Sequence, residues 1–149
     1  MARIAGVNIP TNKRVLIVDD DRDVLDSMNA AFKVEGASTV LAQDGNEAVR
    51  ICKDDPPDLV ILDMMLPKRS GFLVLERIKG SPESPLVIMV TANDGKRHQA
   101  YAESIGVDRY MLKPVPLGRL LETAAELLDQ RDAESEDGDD PADDGGGGT

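Results

Sequence analysis

The stretch Val15-Leu16-Ile17-Val18-Asp19-Asp20-Asp21 places four apolar residues in succession before three carboxylates. A run that is apolar at every position has no solvent face, and it predicts a strand buried on both sides of a parallel sheet. Leu59-Val60-Ile61-Leu62 and Leu86-Val87-Ile88-Met89-Val90 repeat the pattern. Thr39-Val40-Leu41-Ala42 and Arg109-Tyr110-Met111-Leu112 are weaker strand candidates. Between the strands the apolar period becomes that of helices. Leu25, Met28 and Phe32 make one stripe, ended at Gly36. Ala48, Ile51 and Cys52 make a second, opened by Asp44 as N-cap and closed by Pro56-Pro57. Phe72, Leu75 and Ile78 make a third, ended by Gly80. Lys96 to Ile105 is the least apolar helix, and Leu117, Leu120, Leu121, Ala124 and Leu128 form the clearest stripe. This alternation predicts an α/β fold, a doubly wound five-stranded parallel sheet with helices on both faces.

The 149 residues carry a formal charge of −11, placed unevenly. Residues 131–149 contribute −7 and hold no Leu, Ile, Val or aromatic side chain, so they read as a disordered, acidic, Gly-rich tail. Residues 1–13, interrupted by Gly6 and Pro10, read as an N-terminal extension, which leaves 14–130 as the folded domain. The remaining charge of −4 lacks the basic balance of a protein that grips phosphate backbones, and DNA binding is not expected. A single cysteine, Cys52, fits a reducing compartment, and no apolar run is long enough to span a bilayer. The expectation is a cytoplasmic protein with no membrane attachment.

Ligands of open α/β sheets collect beyond the carboxyl ends of the strands. In this sequence those ends carry Asp19-Asp20-Asp21, Asp63, Thr91 and Lys113-Pro114. Carboxylates gathered so closely repel one another unless a cation intervenes, and a hard divalent ion such as Mg²⁺ is the natural partner. A lysine supplies positive charge for a phosphoryl group, a threonine hydroxyl can hydrogen-bond it, and an aspartate can act as the nucleophile toward phosphorus. Taken one at a time, these residues have blander readings. Asp21, Asp23 and Asp44 suit helix caps, and a lone Lys or Thr suits solvated surface. Their joint occurrence at four strand ends favours a functional site.

The same stretches, with Leu62-Asp63-Met64-Met65-Leu66-Pro67, Gly71, Val90-Thr91-Ala92 and Tyr110-Met111-Leu112-Lys113-Pro114, resemble the receiver domain of response regulators over about residues 13–130. The resemblance implies a flavodoxin-like, CheY-like fold and a phosphoprotein switch rather than an enzyme. It implies Asp63 as the phosphoacceptor, Asp20 as a direct Mg²⁺ ligand and Asp19 as one acting mainly through water. A further metal contact would come from the backbone carbonyl of Met65. Thr91 and Lys113 would contact the phosphoryl group, and Tyr110 would turn inward as Thr91 moves. The Lys113–Pro114 bond is expected to be cis. Implied partners are a sensor histidine kinase or histidine phosphotransfer protein upstream. Downstream, a protein would dock on the face of the fourth helix, fifth strand and fifth helix, with the chain a monomer or a phosphorylation-dependent dimer.

Met65 and Asn93 depart from the commonest family pattern: Met65 cannot orient an attacking water, so slow loss of the phosphoryl group is expected. Three rival readings are weaker. An Asp-nucleophile phosphohydrolase needs Thr or Val where Asp23 stands, and a phosphorylation-independent pseudo-receiver is disfavoured by the intact acid, Thr and Lys set. A nucleotide-binding domain needs a Gly-rich loop after the first strand, which is missing. His98 reads as surface, Cys52 as a small core residue, and Lys68-Arg69 as solvated loop charge.

Overall fold

A computed structural model describes residues 7–92 and 95–138. Five strands alternate with five helices: β1 (Arg14–Val18), α1 (Arg22–Val34), β2 (Ser38–Ala42), α2 (Gly45–Asp54), β3 (Leu59–Leu62), α3 (Gly71–Lys79), β4 (Leu86–Thr91), α4 (Lys96–Ile105), β5 (Arg109–Leu112) and α5 (Leu117–Gly138). All strand pairs are parallel, and the spatial order is β2-β1-β3-β4-β5. The predicted doubly wound sheet is therefore the observed one, including both weaker strands.

Alternation along each strand divides the core into two layers. Val15, Ile17, Leu59, Ile61, Ile88 and Val90 face Leu25, Met28 and Phe32 of α1 and Leu120, Leu121, Ala124 and Leu128 of α5. Leu16, Val18, Val60, Leu62, Val87 and Met89 face Ala48 of α2, Val74, Leu75 and Ile78 of α3, and Ala102 of α4. Because both faces are covered, no position in β1, β3 or β4 needs a polar side chain until the strand ends. The chain runs outward from β1 to β2 and then back past it to β3, so the strand order reverses between β1 and β3. The crevice of such a fold opens at that reversal, beyond the carboxyl ends.

The helix ends follow local chemistry. Asp21 caps α1 by accepting from the Asp23 and Val24 N–H groups, and Asp44 caps α2 by accepting from Glu47. Asp23 is not a cap; it lies in the first turn of α1, where its charge still complements the helix dipole. Ser70 caps α3 through the Leu73 N–H.

Both predicted domain boundaries are corrected. Val7 and Ile9 are buried in the α1–α5 layer, so the folded unit begins before residue 14. Their spacing of two turns both side chains to one side, and the Lys13 carbonyl accepts from Ser38 N–H at 3.1 Å, laying this arm beside the start of β2. At the other end α5 continues to Gly138, so residues 131–138, read as disordered, are helical. Contacts with distant parts of the sequence tie down the start of the extra turns: Arg131 Nη2 donates to the Ser84 carbonyl at 3.0 Å, and Lys13 Nζ meets Asp132 at 2.8 Å. Residues 1–6, the remainder of the tail and Asn93 lie outside the described residues. Within the described residues, no helix is long and apolar enough to cross a membrane.

Ile9→Ala should lower unfolding stability by about 2–4 kcal/mol in urea titrations, the cost of a cavity in a packed core. Asn8→Ala, at the exposed position beside it, should cost less than about 0.5 kcal/mol.

Candidate functional site

The β1–β3 pairing continues one residue past the strands, and this brings the acids together. Asp63 N–H donates to the Val18 carbonyl at 3.0 Å, and on the other side of β1 the pairing with β2 also continues, Asp19 N–H donating to the Ala42 carbonyl at 3.1 Å. Asp19 and Asp63 are consequently buried, while Asp20, the next residue along, is exposed. One carboxylate oxygen from each of the three lies within 4.8 Å of the others.

Lys113 enters from the far side of the sheet. Its N–H donates to the Thr91 carbonyl at 2.9 Å, so the end of β5 is tied to the end of β4. Its ammonium then reaches Asp19 Oδ2 at 2.7 Å and Asp63 Oδ2 at 3.6 Å. The Lys113–Pro114 peptide is cis, as expected from the resemblance. Thr91 is fully buried at the end of β4. Tyr110 is half-buried and packs on the side of the sheet covered by α2, α3 and α4. Met65 is 66% exposed, and a cavity of about 320 Å³ lined by Asp20, Met64, Met65, Leu66, Pro67 and Ser70 opens beside it.

Burial pushes the Asp63 carboxyl up to about 6; Lys113 pulls against that rise, and the charges of Asp19 and Asp20 add to it. Burial works against the charge on Lys113, but the hydrogen bond to Asp19 and the charges of Asp63 and Asp19 outweigh it, and its pKa is raised. One ammonium against three carboxylates leaves an excess of negative charge at neutral pH. The donors are all oxygens, the set a hard divalent cation prefers, and so the residues fit Mg²⁺. Asp19 is already engaged at both oxygens, Oδ2 by Lys113 and Oδ1 by the Asp21 N–H at 2.9 Å. Asp63 Oδ1 accepts a long bond from the Met65 N–H at 3.4 Å.

The structure thus gathers Asp19, Asp20, Asp63 and Lys113 into one crevice, with Thr91 at its edge through the β4–β5 tie. It sets Tyr110 in a neighbouring layer. Nothing in the sequence pattern marks Gly45, whose packing against the loop after Asp63 is described below. The minor candidates are placed away from the crevice. His98 stacks on Phe72 with ring centroids 5.8 Å apart, and burial pushes the Cys52 thiol up to about 11, where it stays protonated and unreactive.

Residues 15–125 match the family described as response regulator receiver domain. Response regulator MprA of Mycolicibacterium vanbaalenii is 36% identical over 115 residues, covering 77% of this chain and 50% of the relative. Response regulator MprA of Mycobacterium tuberculosis is 35% identical with the same coverage. The chain therefore spans about half the length of the curated relatives it matches. Among solved structures, a CheY-like receiver domain protein from Methanospirillum hungatei is similar with a TM-score of 0.78 at 33% identity, covering 82% of this chain and 98% of that one. The beryllofluoride-activated receiver domain of RstA from Klebsiella pneumoniae gives 0.72 at 25% identity, covering 77% and 97%. The match extends over most of the sequence and over the whole sheet, and so this chain belongs to the response regulator receiver domain family of two-component signalling.

Proposed function

We propose that Asp63 accepts a phosphoryl group from a phosphohistidine on a sensor histidine kinase or histidine phosphotransfer protein. The observation that carries this reading is the convergence of Asp19, Asp20 and Asp63 within 4.8 Å, with the Lys113 ammonium 3.6 Å from Asp63. A carboxylate oxygen of Asp63 attacks phosphorus, the P–N bond to the imidazole breaks, and the imidazole leaves with the electron pair. The protein's share of such a transfer is positioning and charge neutralisation. Asp20, Asp63 and the Met65 carbonyl would hold Mg²⁺ directly, with Asp19 acting through water because its oxygens are taken. Bound Mg²⁺ would neutralise charge on the phosphoryl oxygens. Lys113 stands where it can exchange its contact with Asp63 for one with the new phosphoryl group, and the Thr91 hydroxyl supplies a hydrogen bond.

Loss of the Asp63 charge and arrival of the phosphoryl charge then bias a two-state equilibrium through Thr91 and Tyr110. Output would be by protein contact at the α4–β5–α5 face, to a downstream protein or a second copy. Leu112, 47% exposed on the outermost strand, offers apolar area there. A phosphorylation-independent interaction module is the alternative, and the intact acid and lysine set weighs against it.

Incubation with a small-molecule phosphodonor and Mg²⁺ should add one phosphoryl increment to the intact mass of the wild type and none to Asp63→Asn. Labelling of Asp63→Asn equal to wild type would defeat the assignment.

Raised carboxyl pKa values also cost stability. The folded, metal-free protein keeps a proton on Asp63 up to about 6, whereas the ordinary carboxyl releases it near 3.8. The folded state therefore binds more protons in that window, and stability falls as pH rises through it. Metal-free Asp63→Asn should be more stable than wild type by about 1–3 kcal/mol at neutral pH. In denaturant titrations the difference should close as pH drops below the ordinary carboxylate range.

Met65, exposed and apolar beside the acceptor, should leave the acyl phosphate long-lived. Phosphate-release measurements should show a lifetime of minutes or longer, shortened several-fold in Met65→Asn. A lifetime of seconds in the wild type would contradict this.

A further inference from the structure

Gly45, the first residue of α2, is buried against the loop between β3 and α3. Its N–H donates to the Pro67 carbonyl at 3.3 Å. A Cβ at this position would stand 2.0 Å from the Arg69 carbonyl oxygen, 2.6 Å from Arg69 Cβ and 2.8 Å from the Arg69 carbonyl carbon. Helix propensity gives no reason for glycine here, since alanine is the more favourable residue within a helix. Backbone conformation gives none either, because the positive-φ glycines among the described residues are Gly36 and Gly106. The close approach of the Arg69 backbone is the remaining physical cause.

The loop is pinned at its root as well. Gly71 N–H donates to the Met64 carbonyl at 2.8 Å, and a Cβ on Gly71 would lie 2.3 Å from the Asp63 carbonyl oxygen. Between these two clamps Lys68 holds a left-handed φ of 68° that few side chains favour, and its ammonium lies 3.7 Å from Asp44, the N-cap of α2. Residues 65–70 are thus wedged between the start of α2 and the end of β3, and Met65 stands within that span.

We infer that Gly45 is a positioning residue for the metal site: the N-terminus of α2 sets where the Met65 carbonyl stands. The inference rests on the reading of that carbonyl as a metal contact. A methyl group on Gly45 meets backbone atoms, with no flexible side-chain end to yield, so the Pro67–Arg69 segment must move outward and carry Met65 with it. No ligand is removed and no charge changes. Mg²⁺ requires near-ideal octahedral geometry, so a displaced oxygen weakens binding.

The test is Mg²⁺ titration of the full chain, followed by calorimetry and by amide resonances. Gly45→Ala should bind Mg²⁺ about tenfold or more weakly than wild type while keeping its circular dichroism. In the metal-free protein, its amide signals should be displaced over residues 64–70 and unmoved in β1 and β4. A folded Gly45→Ala whose affinity stays within about twofold of wild type overturns the inference. Pro67→Gly, at an exposed position, relaxes the same wedge from inside and should weaken Mg²⁺ about three- to tenfold. Should Gly45→Ala not fold, Pro67→Gly decides alone, and unchanged affinity there is equally fatal. Failure of the wild type to bind Mg²⁺ overturns the reading of the acidic crevice and the inference with it. Wild-type binding with unaltered variants overturns the inference alone.

Discussion

The Lys113 ammonium, held between Asp19 and Asp63, is the interaction on which the rest depends. Two buried carboxylates side by side are an unfavourable arrangement, and removal of their cation would leave their charge uncompensated. Yet Lys113 follows β5, at the opposite end of the sheet order from β1 and β2. With neighbouring strands roughly 4.8 Å apart, its side chain answers acids two strand positions away at Asp63 and three at Asp19. Only the intact sheet in its observed order brings these groups within reach. The fold is therefore a precondition of the electrostatics, and the sequence separation of 94 residues between the partners shows how little of it is local.

That balance is deliberately incomplete. One ammonium does not neutralise three acids, and burial first, with the charges of Asp19 and Asp20 behind it, lifts the Asp63 carboxyl to about 6. Sites of this kind sacrifice resting stability to stay receptive to a ligand that supplies the missing charge. The surrounding core has none of this tension: on both faces of β1, β3 and β4 it is apolar and closely packed, and the strain sits at the strand ends alone.

Much of this was legible because the physics is periodic. Runs such as Val15 to Val18 announce strands covered on both sides, and the first polar residue after each run marks the crevice. Asp21 and Asp44 were legible as caps because capping is a contact over two or three residues. What escaped the sequence depends on distant partners. Val7 and Ile9 are too few, and too close to Gly6 and Pro10, to declare a packed segment until the α1–α5 layer is seen to receive them. The last turns of α5 are polar and acidic, and the contacts of Arg131 with Ser84 and of Asp132 with Lys13 come from far away in the chain. Gly45 is marked by the backbone of Arg69, a contact that no local pattern encodes.

The length of α5 has a mechanical consequence. Its 22 residues make a rod of about 33 Å, roughly twice the span of a five-residue strand. The rod starts just after Lys113-Pro114, at the edge of the acidic crevice, and Arg131 in its later turns reaches the opposite edge of the sheet, at Ser84. Packed into the core through Leu120, Leu121, Ala124 and Leu128 and pinned at Arg131, the helix is a strut that joins the two poles of the domain in one rigid span.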